Sequence, residues 1–96
     1  MRRCYLVCYD ISDDKRLRRV HKKMKAYGQA WQFSVFYCCL RDIDRVRLER
    51  DLREIVNLAH DKILIIDLGA NEDEARSAAV TIGPRVADEV GGTVVI

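Results

Sequence analysis

The chain has 96 residues, 49% of them hydrophobic, and a formal net charge of only +2. That length fits one domain over residues 1–96, with a thin margin of stability because so small a domain buries a modest share of its surface. The apolar share excludes a disordered chain. The near-neutral balance excludes nucleic-acid binding through bulk charge, so any electrostatic role rests on where the charges sit.

Met1-Arg2-Arg3 leads into a run too short for a secretory signal, and no stretch is apolar for long enough to span a bilayer. Both features point to a cytoplasmic protein without membrane contact. Arg3 to Tyr9 is short, almost continuously apolar and rich in aromatic and β-branched types, the pattern of a buried strand. Cys4, Cys8, Cys38 and Cys39 lie inside apolar runs and form no C-x-x-C pair. They read as reduced, buried thiols, with a zinc site or redox pair as the alternative.

Ser12 is the expected N-cap of a first helix, with Asp13 and Asp14 in the turn where the helix dipole favours negative charge. Leu17, Val20, Met24 and Tyr27 share one face of that helix, and Gly28 is expected to close it at C′. Ala30 to Leu40 is a second β region, one bent strand or two short ones, with no Gly or Asn at its centre to form a tight hairpin. Asp42 or Asp44 is expected to cap a second helix whose inward stripe is Leu48, Leu52, Ile55, Val56 and Ala59. "DKILIIDLG" follows as a strand ending at Gly69.

The order β-α-β(β)-α-β predicts an α+β, ferredoxin-like sheet with both helices on one face. Beyond Gly69, "NEDEARSAAV" suggests a short helix capped by Asn71, and "GPRVADEVGG" suggests a loop. Thr93, Val94, Val95 and Ile96 read as an extra C-terminal strand. An apolar edge strand is a liability unless covered, so this one is expected to pair with a second subunit in a homodimer.

Asp10 stands at the carboxyl end of the first strand, where α/β folds present functional side chains. Two readings are open. Asp10 is either a turn former accepting the amides of Ser12 or Asp13, or a ligand for Mg²⁺, an ion that usually takes only one or two carboxylates and keeps several waters. A twofold axis nearby would double its ligand count. The helix that follows carries Lys15, Arg16, Arg18, Arg19, Lys22, Lys23 and Lys25. These form either a solvated face or a phosphate-binding surface, and few acids sit at i±4 to neutralise them. His21 and His60 are isolated histidines. Trp31, Phe33 and Phe36 lie at strand spacing, which suits core packing better than base stacking. No Gly-rich phosphate loop or nucleophile elbow is present.

"YLVCYDISDDKRLRRVHKKMKAYG" followed by "QFSVFYCCL" resembles the Cas2 family of CRISPR adaptation proteins. Tyr9, Asp10, Ile11, Asp13, Asp14, Gly28, Gln32, Phe33, Ser34, Val35 and Phe36 stand in the places of its two motifs. The resemblance covers about the first forty residues strongly and the middle weakly. It implies a ferredoxin-like homodimer whose two Asp10 carboxylates face each other near the twofold axis and bind Mg²⁺ or Mn²⁺. It also implies a part in spacer acquisition, with double-stranded DNA held by its backbone between dimers of the integrase Cas1. A metal-dependent nuclease on DNA or RNA, with Asp10 catalytic, and a ferredoxin-like regulatory module are the alternatives. Many family members place an arginine or another polar residue just before the apolar residue and Gln of the second motif, where this sequence has Ala30 and then Trp31. That departure lowers the expectation of cleavage.

Overall fold

The computed structural model describes residues 1–84. In chain order these form β1 (Arg2–Asp10), α1 (Asp14–Lys25), β2 (Gln29–Gln32), β3 (Val35–Arg41), α2 (Asp42–Ile55), β4 (Lys62–Gly69) and α3 (Glu72–Ser77). The strands make one antiparallel sheet in the order β2-β3-β1-β4, the ferredoxin-like arrangement expected from the element order. The expected strand Thr93 to Ile96 lies outside the described residues.

The sheet register explains why β1 is apolar almost throughout. Tyr5, Val7 and Tyr9 point to the helices and meet Cys38 and Phe36 across β3, and Ile65 and Ile63 across β4. Val20 and Met24 of α1 and Leu48, Leu52 and Ile55 of α2 complete this core. On the opposite face, Cys4 and Tyr37 pack under Ala75 of α3, with Trp31, Cys39 and Leu68 around them. Leu64 and Ile66 on that same face stay 49% and 44% exposed among the described residues. Both faces of β1 are therefore apolar, while the two long helices cover only one.

Several local expectations are corrected. Asp13, not Ser12, is the N-cap of α1; its carboxylate accepts the Arg16 amide at 3.0 Å. Ser12 is drawn away, since its amide and hydroxyl both donate to Asp61. Neither Asp42 nor Asp44 caps α2. β3 runs directly into that helix with Arg41 at the N-cap and no side-chain bond there, and Asp44 in the first turn instead accepts from the Arg41 guanidinium. The helix ends at Ile55, and Ala59 lies exposed beyond it. The reason is a turn locked by side chains: the Asn57 amide donates to Asp61, and the Asn57 side chain accepts the Ala59 amide.

The second β region is a tight hairpin after all. Gln32 pairs with Val35 around a two-residue turn at Phe33 and Ser34, with a bulge between Ala30 and Gln32. No non-glycine residue among those described has positive φ, so the bulge accommodates the twist that a mirror-image turn would otherwise supply. The turn is also tied to β1 by the Tyr9 amide, which donates to the Ser34 carbonyl. Gly28 is needed for a different reason than expected. Its φ lies outside the left-handed region, but a Cβ there would overlap the Tyr37 carbonyl oxygen and Cys38 Sγ. Asn71 caps α3 as expected, accepting the Glu74 amide at 3.0 Å.

All four cysteines are free thiols; Cys4 and Cys38 are buried, and Cys8 and Cys39 are half-buried. Burial pushes the Cys38 thiol up to about 12 and Cys39 up to about 11, which leaves little thiolate at neutral pH.

Candidate functional site

β1 delivers Asp10 to the surface at its last position, opposite Lys62 in the ladder with β4. The carboxylate is exposed and, among the described residues, takes no hydrogen bond or ion pair. The turn-forming work that its position suggested is done by another acid. Asp61, whose side chain is fully shielded from solvent, accepts from the Ser12 amide and hydroxyl at 3.1 Å each and from the Asn57 amide at 2.8 Å. It also takes the Arg16 guanidinium in a two-pronged contact, Nε at 2.7 Å and Nη2 at 3.2 Å. The Arg16 contact is the main force holding the Asp61 carboxyl well below the usual carboxylate range. The Asn57 and Ser12 donors add to it against the opposing effect of burial.

The basic residues of α1 separate into two groups. Arg16 is bound to Asp61 and Ser12, and Lys23 lies 3.8 Å from Asp51 of α2. Asp51 also accepts the Tyr27 hydroxyl at 3.1 Å. Lys15, Arg18, Arg19 and Lys22, like Lys25 at the end of the helix, are exposed and have no acidic partner within ion-pair distance among the described residues. Their spacing of i, i+3, i+4 and i+7 puts them on one stripe, opposite the buried Val20 and Met24. α2 differs: its Arg45, Arg47 and Arg50 each lie beside an acid, Glu49, Asp44 and Asp51 respectively, which leaves Arg53 alone without one among the described residues. The unneutralised positive stripe therefore belongs to α1.

His21 sits on the flank of α1 nearest the β2–β3 turn. Its Nδ1 is 3.0 Å from the Tyr9 hydroxyl, which in turn donates to the Phe33 carbonyl at 3.0 Å. With the phenolic proton so placed, Nδ1 carries the imidazole proton. Burial pushes Tyr9 up to about 12, so it remains a neutral phenol. His60 is exposed in the turn that follows α2, where only its backbone is engaged. The anchoring role of Asp61 left little local signal in the sequence, because Ser12 and Arg16, which supply most of its donors, lie 49 and 45 residues away and only Asn57 is near.

The family model for CRISPR associated protein Cas2 matches residues 2–76. The chain belongs to the Cas2 family. It is 39% identical over 90 residues to a CRISPR-associated endoribonuclease Cas2 of Thermodesulfovibrio yellowstonii, covering 94% of this chain and 96% of that one. It is 44% identical over 73 residues to the CRISPR-associated endoribonuclease Cas2 of Geobacter sulfurreducens, covering 76% and 77%. The crystal structure of Streptococcus pyogenes Cas2 superposes with a TM-score of 0.74 at 33% identity, over 83% of this chain and 99% of that one. The span matched by the Cas2 model contains Asp10, the whole of α1 and Asp61. No helix among the described residues is long and apolar enough to cross a membrane.

Proposed function

We propose that this Cas2 protein, a single domain over residues 1–96, acts as a dimer in spacer acquisition and holds double-stranded DNA by its backbone between dimers of the integrase Cas1. Family membership supports the CRISPR setting. The observation that carries the reading is the unneutralised stripe of Lys15, Arg18, Arg19 and Lys22 on a helix that starts four residues after Asp10. Such a stripe suits phosphates, and phosphate contacts position a duplex without reading its sequence. The apolar sheet face bearing Leu64 and Ile66 supports a second copy packing there.

The metal part of the proposal concerns Asp10. Among the described residues, no group of three His, Cys, Asp or Glu is placed to hold an ion, so one chain alone is a poor site. One free carboxylate from each of two copies matches what Mg²⁺ usually takes from protein, with water filling the remaining positions. Bound there, Mg²⁺ or Mn²⁺ would supply a Lewis acid for phosphate oxygens. A second reading, a metal-dependent nuclease acting on RNA or DNA with Asp10 catalytic, draws on the endoribonuclease names of the relatives. The β2 bulge weakens it. Ala30 there stands where the resemblance places an arginine or another polar residue in many family members, just before the apolar Trp31 and Gln32.

The test is the salt dependence of duplex binding, with and without Cas1. Each phosphate neutralised contributes about 0.9 to the log-log slope on B-DNA. Replacing Arg18 and Arg19 by alanine is expected to lower the slope by about one to four units per dimer, equally on unrelated sequences. Unchanged affinity and slope in a folded variant would return α1 to an ordinary solvated helix. Cleavage of labelled RNA or DNA that disappears in Asp10→Asn, while salt-dependent binding persists, would favour the nuclease reading.

A further inference from the structure

Three of the four aromatic side chains of the β2–β3 hairpin have different fates. Phe36 is fully buried, and Trp31 lies against Tyr37. Phe33, at the tip of the turn, is 50% exposed. Burial does not account for an aromatic ring left half in water, yet this ring is fixed. One of its faces stacks on the His21 imidazole, with centroids 5.2 Å apart and planes 15° from parallel. His21 is itself held by the Tyr9 hydroxyl on Nδ1 and by the edge-to-face contact with Phe36 at 5.4 Å. The same Tyr9 hydroxyl bonds the Phe33 carbonyl, so both the backbone and the ring of Phe33 are anchored to β1 and α1.

The flank of α1 behind this ring is basic. Arg18 and Lys25 stand at i−3 and i+4 from His21, one turn to either side on its face of α1, and Lys22 is its neighbour in sequence. All three are exposed and lack an acidic partner within ion-pair distance among the described residues. An open, rigid aromatic face beside unpaired cations is the combination that binds single-stranded nucleic acid. Bases stack on the ring whatever their identity, and the cations take the backbone. A blunt duplex offers no free base face to such a ring except at its ends.

We infer that Phe33, backed by His21, is a stacking platform for an unpaired nucleobase, the point where a single-stranded end or flap leaves the basic stripe of α1. The inference rests on the proposed nucleic-acid role and adds to it a preference for strands with unpaired nucleotides. Stacking releases no counterions, whereas phosphate contacts do, so the two contributions separate experimentally.

The test measures anisotropy of a labelled oligothymidylate and of a blunt duplex of equal length, across a salt series. Wild type is compared with Phe33→Ala, Phe33→Leu and Phe33→Trp. The alanine and leucine variants are expected to bind the single strand about 5- to 100-fold more weakly with an unchanged salt slope, and the duplex within about twofold of wild type. Phe33→Trp is expected to restore single-strand affinity and to show indole emission, beyond that of Trp31, quenched by the oligonucleotide. The leucine variant keeps apolar bulk on His21, and with the tryptophan variant it decides the matter even if alanine loosens the turn. Single-strand affinity equal to wild type in Phe33→Leu, or equal losses on both ligands, would overturn the platform. If wild type binds duplex with a steep salt slope while the Phe33 variants match it on single strands, the platform alone falls. If wild type binds neither ligand at low salt, the DNA-holding reading falls with it.

Discussion

Asp10 and Asp61 flank the same pair of strands and live in opposite surroundings. Asp10 ends β1; Asp61 stands just before β4, whose first residue, Lys62, is the ladder partner of Asp10. Asp61 is shielded from solvent and accepts five hydrogen bonds, from Ser12, Arg16 and Asn57. Asp10 is exposed and accepts none among the described residues. The contrast teaches how to tell an architectural acid from an available one. A carboxylate whose lone pairs are all occupied joins pieces of the fold, here the start of α1 to the turn after α2. A carboxylate left bare beside a basic helix is free for a ligand.

The strongest way to break the comparison is to truncate both acids. Asp61→Ala leaves the Arg16 guanidinium and two amides without their acceptor, and is expected to lower the melting temperature on the order of 10 °C. Asp10→Ala, measured at neutral pH without divalent ions, is expected to shift it by less than about 2 °C. Equal shifts in scanning calorimetry would erase the distinction.

Acid titration sharpens it further. The folded Asp61 carboxyl titrates well below its ordinary value of 3.8, so the unfolded chain binds the proton more readily. The stabilisation is therefore complete above the unfolded value and is lost as pH falls from about 4 towards the folded one. Denaturant unfolding at a series of pH values should show Asp61→Asn flattening that acid limb. An acid limb untouched by Asp61→Asn would mean that other depressed carboxylates, such as Asp44 and Asp67, govern it.

The smallest effect concerns the ion. Weak binding by the native form alone raises the melting temperature by mass action, and millimolar Mg²⁺ is expected to add about 1–3 °C to the wild type. Asp10→Asn should remove that increment. Asp61→Asn should keep it, from a lower starting point. An increment that survives Asp10→Asn would place any ion elsewhere on the surface.

Much of the architecture was legible because it is written in local patterns. The stripe of Leu17, Val20 and Met24, the apolar run of β1 and the strand after Asp61 each declare their element within a few residues. The cap of α1 was misplaced by one residue because the group that claims Ser12 lies 49 positions away. The same distance hid which basic side chains of α1 are free. Arg16 and Lys23 look like Arg18 and Lys22 in the sequence, and only the carboxylates of Asp61 and Asp51, brought up from α2 and the turn beyond it, set them apart. The hairpin at Phe33 and Ser34 lacked the residues that usually announce a tight turn, since a bulge and a bond from Tyr9 do that work. Asp10 was legible as a position at a strand end; its bareness was not, because that depends on Asp61 taking the donors nearby.

The central place of β1 has a consequence for how the chain is made. β1 pairs with β3 on one edge and with β4 on the other, and its β4 partners lie 52 to 65 residues further along. During synthesis this inner strand of the sheet leaves the ribosome well before its second neighbour exists, and ordering it early costs loop-closure entropy that no contact yet offsets. The nascent chain therefore carries an apolar strand with an open edge until Lys62 to Gly69 emerge. That interval is when chaperones have most to hold and aggregation has most to gain.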